Sequence, residues 1–156
     1  MGQPGRSYAS SAPEEAPEEA TVTSGTVLVP HRPLGVAQAR FAFLTAVRGQ
    51  LSDDRTRDAV LVLSELVSNA LRHARPLPDD SIKAAWRLQG DTVEIAVTDG
   101  GSPTQPRADA FSPSQLGGRG LAIVNKLAVE WGVQEVESGT TVWASLGVPS
   151  PTPVCR

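Results

Sequence analysis

The run LVLSELVSNALRHA, residues 61 to 74, is apolar enough to be buried, yet it carries Glu65 and Asn69 four positions apart. An unpaired carboxylate in an apolar setting is costly or gives up its charge, so such a residue has a partner or a chemical task. At about 100° per residue, a helix brings Ser64, Glu65, Ser68 and Asn69 into one arc with Leu61 and Arg72. A polar stripe on an otherwise buried helix describes the floor of a wet pocket. The competing reading is a plain i,i+4 hydrogen bond between Glu65 and Asn69 on a solvent-facing edge. His73, at the end of the run, suits packing or capping better than catalysis.

Three further segments carry chemistry. In VTDGGSP, Asp99 ends an apolar strand and glycine follows at once. A carboxylate there can accept a hydrogen bond from the amino group of a flat ring, and Gly101 admits backbone to that ring with no Cβ in the way. A plain Asp-Gly turn is the alternative. In GGRGL, Gly117 to Leu121, three glycines open a helix whose free N–H groups and dipole suit an anion such as a phosphate. The segment lacks the lysine of a P-loop and does not directly follow a strand, as a dinucleotide fingerprint would. GTTVW, Gly139 to Trp143, reads by itself only as a β-turn.

The elements that must position these residues follow from periodicity and breakers. Residues 1 to 26, rich in Pro, Ala, Ser and Glu, cannot repay the entropy of ordering and read as a disordered tail. Val27 to Val29 makes a short strand stopped by Pro30. Residues 34 to 51 put Val36, Ala39, Phe43, Ala46, Val47 and Leu51 on one face of an amphipathic helix. A second helix runs from about Arg55 to Ala74, capped by Asp53 or Asp54 and ended by RPLPDD. SIKAAWRL and TVEIAVTD alternate and form a hairpin across Gln89, Gly90 and Asp91; VEWGVQEV and TTVWASLGV form another across Glu137, Ser138 and Gly139. Between the hairpins lie GGSPTQPRADAFSPSQLGGRG, long enough to serve as a lid or binding loop, and a short helix over 120–128. Strands in adjacent antiparallel pairs predict an α+β fold, a two-layer sandwich whose mixed, mostly antiparallel sheet is covered on one face by about three helices. The domain spans 27–148, and a Pro-rich tail, 149–156, frays.

Composition excludes several functions. At 156 residues and 40% hydrophobic content, the chain supplies one ordinary core. Its net charge of −3 sits in the first 26 residues, where Glu14, Glu15, Glu18 and Glu19 face Arg6 alone; 13 acidic and 13 basic residues cancel in the rest. With no basic cluster, a nucleic acid partner is not expected. One cysteine, Cys155, rules out an internal disulfide and a cysteine-built metal site, and fits a reducing cytoplasm. No signal-peptide core stands at the N-terminus and no apolar stretch nears the roughly 20 residues that span a bilayer, so a cytoplasmic protein without membrane contact is expected.

Taken in order, SELVSNALRHA, DGGSP, GGRGL and GTT resemble the N box and the three glycine boxes of the gyrase, heat-shock chaperone, histidine kinase and mismatch-repair ATPase superfamily (GHKL), whose domain is the Bergerat fold. The short chain and the forms of the first and third boxes look most like the anti-sigma-factor serine/threonine kinases and their stand-alone ATP-binding relatives. The likeness covers about residues 27–148 and implies ATP and Mg²⁺ as ligands. By that resemblance Asn69 would coordinate the metal, and Glu65 would be the catalytic base or orient the attacking hydroxyl. Asp99 would bind the adenine amino group beside Gly101 and Thr140, while Gly118, Arg119, Gly120 and Leu121 would meet the phosphates.

The function so implied is transfer of the γ-phosphoryl group of ATP to a serine or threonine of a small anti-anti-sigma protein of the STAS type, together with sequestration of a sigma factor. The resemblance also admits a homodimer. Two departures bear on this. Pro103 stands where a further glycine is usual, stiffening the lid entrance and removing a backbone donor. The lid, Thr104 to Gln115, is short and has no lysine, which predicts incomplete closure and modest nucleotide affinity. Both features favour the alternative of a nucleotide-dependent binding module without transfer activity. A histidine kinase catalytic domain ranks lower, because His31 stands between Pro30 and Arg32-Pro33, outside helical context, and no dimerising helix pair is present. A ligand-free α+β domain is the remaining reading.

Overall fold

The computed structural model describes residues 21–102 and 119–147. The first 20 residues, Pro103, the expected lid over Thr104 to Gln115, Gly117, Gly118 and the tail from 148 lie outside the described residues, and Arg119 and Gly120 are described by backbone alone.

Among the described residues five strands form one sheet in the order β1-β2-β3-β5-β4, where β1 is Val22–Pro30, β2 Ser81–Gln89, β3 Thr92–Asp99, β4 Glu130–Val136 and β5 Gly139–Leu146. All four pairings are antiparallel. Among the described residues three α-helices cover one face: α1 Leu34–Val47, α2 Asp53–His73 and α3 Arg119–Leu127. The middle helix, α2, packs between α1 and α3 and rests on β3, the central strand.

The alternation of β2 and β3 decides which face the helices cover. Ile82, Ala84, Trp86 and Leu88 are buried on β2, and Val93, Ile95 and Val97 on β3, because a side-chain period of two sends them all to one side. Register then aligns them: Trp86 lies opposite Ile95, and Ile95 opposite Ala144. Phe43 of α1 meets the Trp86 ring edge-to-face at 5.6 Å, locking α1 to the sheet.

Three expectations change at element ends. The strand expected at Val27 begins at Val22, so the last residues of the segment read as disordered are ordered. Pairing is the cause: Val22–Pro30 runs in register with Gln89–Ser81, and the ladder stabilises β-branched residues whose alternate side chains stay exposed. Helix α1 stops at Val47, short of Leu51, because the chain turns through Gly49 at φ 76°, a left-handed conformation that ends a helix. Helix α2 is capped by Ser52, not by Asp53 or Asp54. The Ser52 hydroxyl accepts from the Arg55 N–H at 3.2 Å, which leaves both aspartates in the first turn against the positive end of the dipole. The core face of α1 is as expected: Ala39, Phe43 and Val47 are buried, with Val36, Ala46 and Leu51 packed at its border.

Candidate functional site

Helix α2 presents its stripe as a graded surface. Leu61 and Arg72 are exposed, Ser64, Glu65 and Ser68 are half-buried, and Asn69 is buried at 7% exposure. On either side of the stripe Val62, Leu63, Leu66, Val67 and Ala70 sink into the core, as a period of 3.6 requires. Ser64 spends its hydroxyl on its own helix, donating to the Val60 carbonyl at 2.7 Å. Among the described residues neither Glu65 nor Asn69 makes a side-chain hydrogen bond, so the i,i+4 pairing considered above does not form. His73 is exposed at the last helical position.

The second component is the end of β3. Asp99 is 5% exposed, and its Oδ1 accepts the Gly101 N–H at 2.8 Å, which turns the carboxylate over its own backbone. Burial pushes its pKa up from 3.8 to about 6, against the opposing pull of that N–H and of the charge of His31. The other carboxylate oxygen takes no hydrogen bond among the described residues. Thr140 stands directly across the ladder from Asp99 and is half-buried. Gly139 makes this approach feasible: a Cβ there would collide with the Asp99 carbonyl and come within 2.7 Å of the Gly100 carbon. Gly101 adopts φ 90°, which directs its amide back to the aspartate.

A backbone strap unites the two components. The Gly100 N–H donates to the Arg75 carbonyl at 2.7 Å, and the Arg75 N–H donates to the Gly101 carbonyl at 2.8 Å. The exit of α2 is thereby tied to the turn holding Asp99. Counting back along α2 at the helical rise, Asn69 lies about 9 Å and Glu65 about 15 Å from the strapped end. The stripe therefore leads away from Asp99 as a polar track along the helix.

Helix α3 brings the third component. Arg119 and Gly120 form its first turn, where N–H groups have no intrahelical acceptor. Leu121 is 1% exposed, so its side chain belongs to the core and only its backbone can serve a phosphate. Gly118 lies outside the described residues. Sequence reasoning missed His31, whose Nε2 lies 3.0 Å from the Ala74 carbonyl. The partner is 43 positions away, and no local pattern announces it.

The carboxylate at the end of β3 is joined to the polar track on α2 by the Arg75 strap, and α3 packs beside α2. The chain belongs to the histidine kinase-like ATPase domain family, whose model matches residues 29–146. ATP is the ligand that membership implies. Among solved structures the chain is similar to the RsbU and RsbW domains of Rv1364c from Mycobacterium tuberculosis, with a TM-score of 0.59 and 23% identity over 81% of this chain. It spans 33% of that chain, and the likeness at this identity is one of fold. No curated protein matches the chain. Among the described residues no helix is long and apolar enough to cross a membrane.

Proposed function

We propose that this domain binds ATP with Mg²⁺ and transfers the γ-phosphoryl group to a serine or threonine hydroxyl of a partner protein. The supporting observation is Asn69, a buried amide with no hydrogen bond among the described residues, one helical turn from Glu65 on the same face. An uncommitted amide oxygen fits a hard cation. Among the described residues no three His, Cys, Asp or Glu side chains gather to hold a metal, so the remaining ligands would be water and phosphate oxygens. When bound, the ion supplies positive charge that offsets the γ-phosphoryl oxygens.

The chain's own residues do the rest. The free oxygen of Asp99 accepts from the adenine amino group while Gly101 holds the carboxylate in place. The backbone of Gly118, Arg119, Gly120 and Leu121 offers N–H groups to the phosphates. Glu65, half-buried and open to an incoming hydroxyl, takes its proton as that oxygen attacks the γ-phosphorus. The bond to the β,γ-bridging oxygen breaks, and ADP leaves with its electron pair. We infer that the acceptor hydroxyl belongs to a small anti-anti-sigma-like protein and that nucleotide state gates the binding of a sigma factor. The order and form of the four motifs support that choice of partners.

The test incubates γ-labelled ATP with the protein and candidate acceptors, comparing wild type with Glu65→Ala and Asn69→Ala. Wild type transfers label; Glu65→Ala still binds ATP but transfers it at least a hundredfold more slowly, roughly the worth of a general base; Asn69→Ala loses the magnesium-dependent part of ATP affinity. Label that never moves although ATP binds would make the domain a nucleotide-dependent binding module.

A further inference from the structure

The hydrogen bonds that fix Asp99 continue outward from it. Beyond the Gly101 amide and the Arg75 strap stands Ala74, the last residue of the α2 boundary, whose N–H donates to the Ala70 carbonyl at 3.1 Å. The Ala74 carbonyl is one that a helix leaves without an internal donor, and it meets Nε2 of His31 at 3.0 Å. A carbonyl can only accept, so Nε2 carries the hydrogen. His31 is itself anchored, its N–H donating to the Asp80 carbonyl at 2.7 Å just beyond the β1–β2 ladder, which closes at Pro30 and Ser81. The imidazole thus joins the end of the edge strand to the end of the helix that carries the candidate catalytic stripe.

We propose that His31 is a positioning residue of the nucleotide site, holding the terminal carbonyl of α2, and through the strap the Asp99 carboxylate, in the orientation and charge state that accepts the adenine amino group. The proposal rests on the ATP reading of Asp99 given above. An ionised acceptor makes the stronger hydrogen bond, and burial opposes ionisation here. The charged side chains on the surrounding elements are Glu65, Arg72 and His73 on α2, Arg75 in the strap, Asp79 and Asp80 before β2, and Glu135 on β4, opposite Thr140. Among the described residues His31 is the one whose charge favours the ionised form of Asp99. Glutamine at this position could keep the donor to Ala74 but not the charge, which separates the two effects.

The experiment measures ATP dissociation constants by calorimetry from about pH 5.5 to 8.5, across the range in which the raised aspartate titrates. It compares the full chain with His31→Ala and His31→Gln, and follows the Asp99 carboxyl by carbon NMR without nucleotide. His31→Ala is expected to weaken binding about five- to tenfold near pH 7, the size of one lost hydrogen bond and its charge. The Asp99 midpoint should move upward in both variants, and His31→Gln should regain most of the affinity above pH 8. Unchanged affinity in His31→Ala, or an unmoved Asp99 midpoint in both variants, overturns the proposal. Asp99→Asn keeps the two claims apart. If it too binds ATP as wild type does, the adenine assignment falls; if it loses binding while the His31 variants do not, only the role of His31 falls.

Discussion

The main-chain N–H of Arg75 donates to the carbonyl of Gly101 across 2.8 Å, and this bond joins the helix bearing Glu65 and Asn69 to the turn bearing Asp99. Gly100 returns the contact through its own N–H to the Arg75 carbonyl. Two backbone bonds in opposite directions fix both the distance and the rotation between the elements.

Asp99 is held in the folded protein at a cost. Its pKa rises from 3.8 to about 6, so the folded state binds the proton more tightly than the unfolded state does. Stability without nucleotide should therefore fall as pH rises between those two values, with the penalty fully present above about pH 6 and absent below about pH 4. Asp99→Asn stays neutral and keeps an oxygen for Gly101. It is expected to exceed wild type in stability by roughly 1–3 kcal/mol near pH 8 and to match it near pH 4. Its ATP affinity should drop about tenfold or more, the worth of a charged hydrogen bond. Urea denaturation at the two pH values and calorimetry with ATP read both effects.

Asn69 is the buried neutral residue of the α2 stripe. Asn69→Leu removes an amide that makes no hydrogen bond among the described residues, so the variant should stay within about 1 kcal/mol of wild type in stability. Its ATP binding should become insensitive to chelation of magnesium. Titrations with and without a chelator, beside a denaturant curve, decide both halves of the prediction.

Gly139 is a steric requirement of the strand pairing at Asp99. In Gly139→Ala the added methyl meets the Asp99 carbonyl and the Gly100 backbone, which cannot rotate away as a side chain could. A loss of about 2–4 kcal/mol is expected, together with weaker nucleotide binding, since the strand pairing must shift at Asp99, the proposed adenine acceptor. A lowered urea midpoint with an unchanged denaturant slope would bear this out.

Two phenylalanines on α1 provide a contrast on one helix. Phe43 is fully buried against Trp86, whereas Phe41 is 74% exposed. Phe43→Ala should cost about 3–5 kcal/mol, and Phe41→Ser should stay within about 0.5 kcal/mol of wild type. Thermal or chemical unfolding of the two variants side by side checks the assignment of the core face.

The helix and strand interiors were legible because their patterns are local. Strands β2 and β3 follow the alternation of SIKAAWRL and TVEIAVTD, and α2 carries its polar stripe at the expected turn. The ends were less legible. Val22 to Thr26 carry little apolar surface and become a strand only because β2 lies alongside. Ser52, Asp53 and Asp54 can each cap a helix, and the choice fell to the residue whose extended backbone let its hydroxyl reach Arg55. At the site, the residue types of Glu65, Asn69 and Asp99 were visible in sequence. The bonding of His31 to Ala74 was not, since a histidine beside prolines carries no sign of a partner 43 residues away.

The amino-acid sequence by itself determined which side chains share a face, because the periods of helix and strand follow from covalent geometry over a few residues. It also set the order of the acidic, amide and glycine-rich segments along the chain. Only the tertiary structure decided that Arg75 would clasp Gly100 and Gly101, that Thr140 would stand across from Asp99, and that burial would raise the carboxylate's pKa to about 6. Those relationships arise from backbone hydrogen bonds and desolvation between distant segments, which exist only once the sheet and helices have packed.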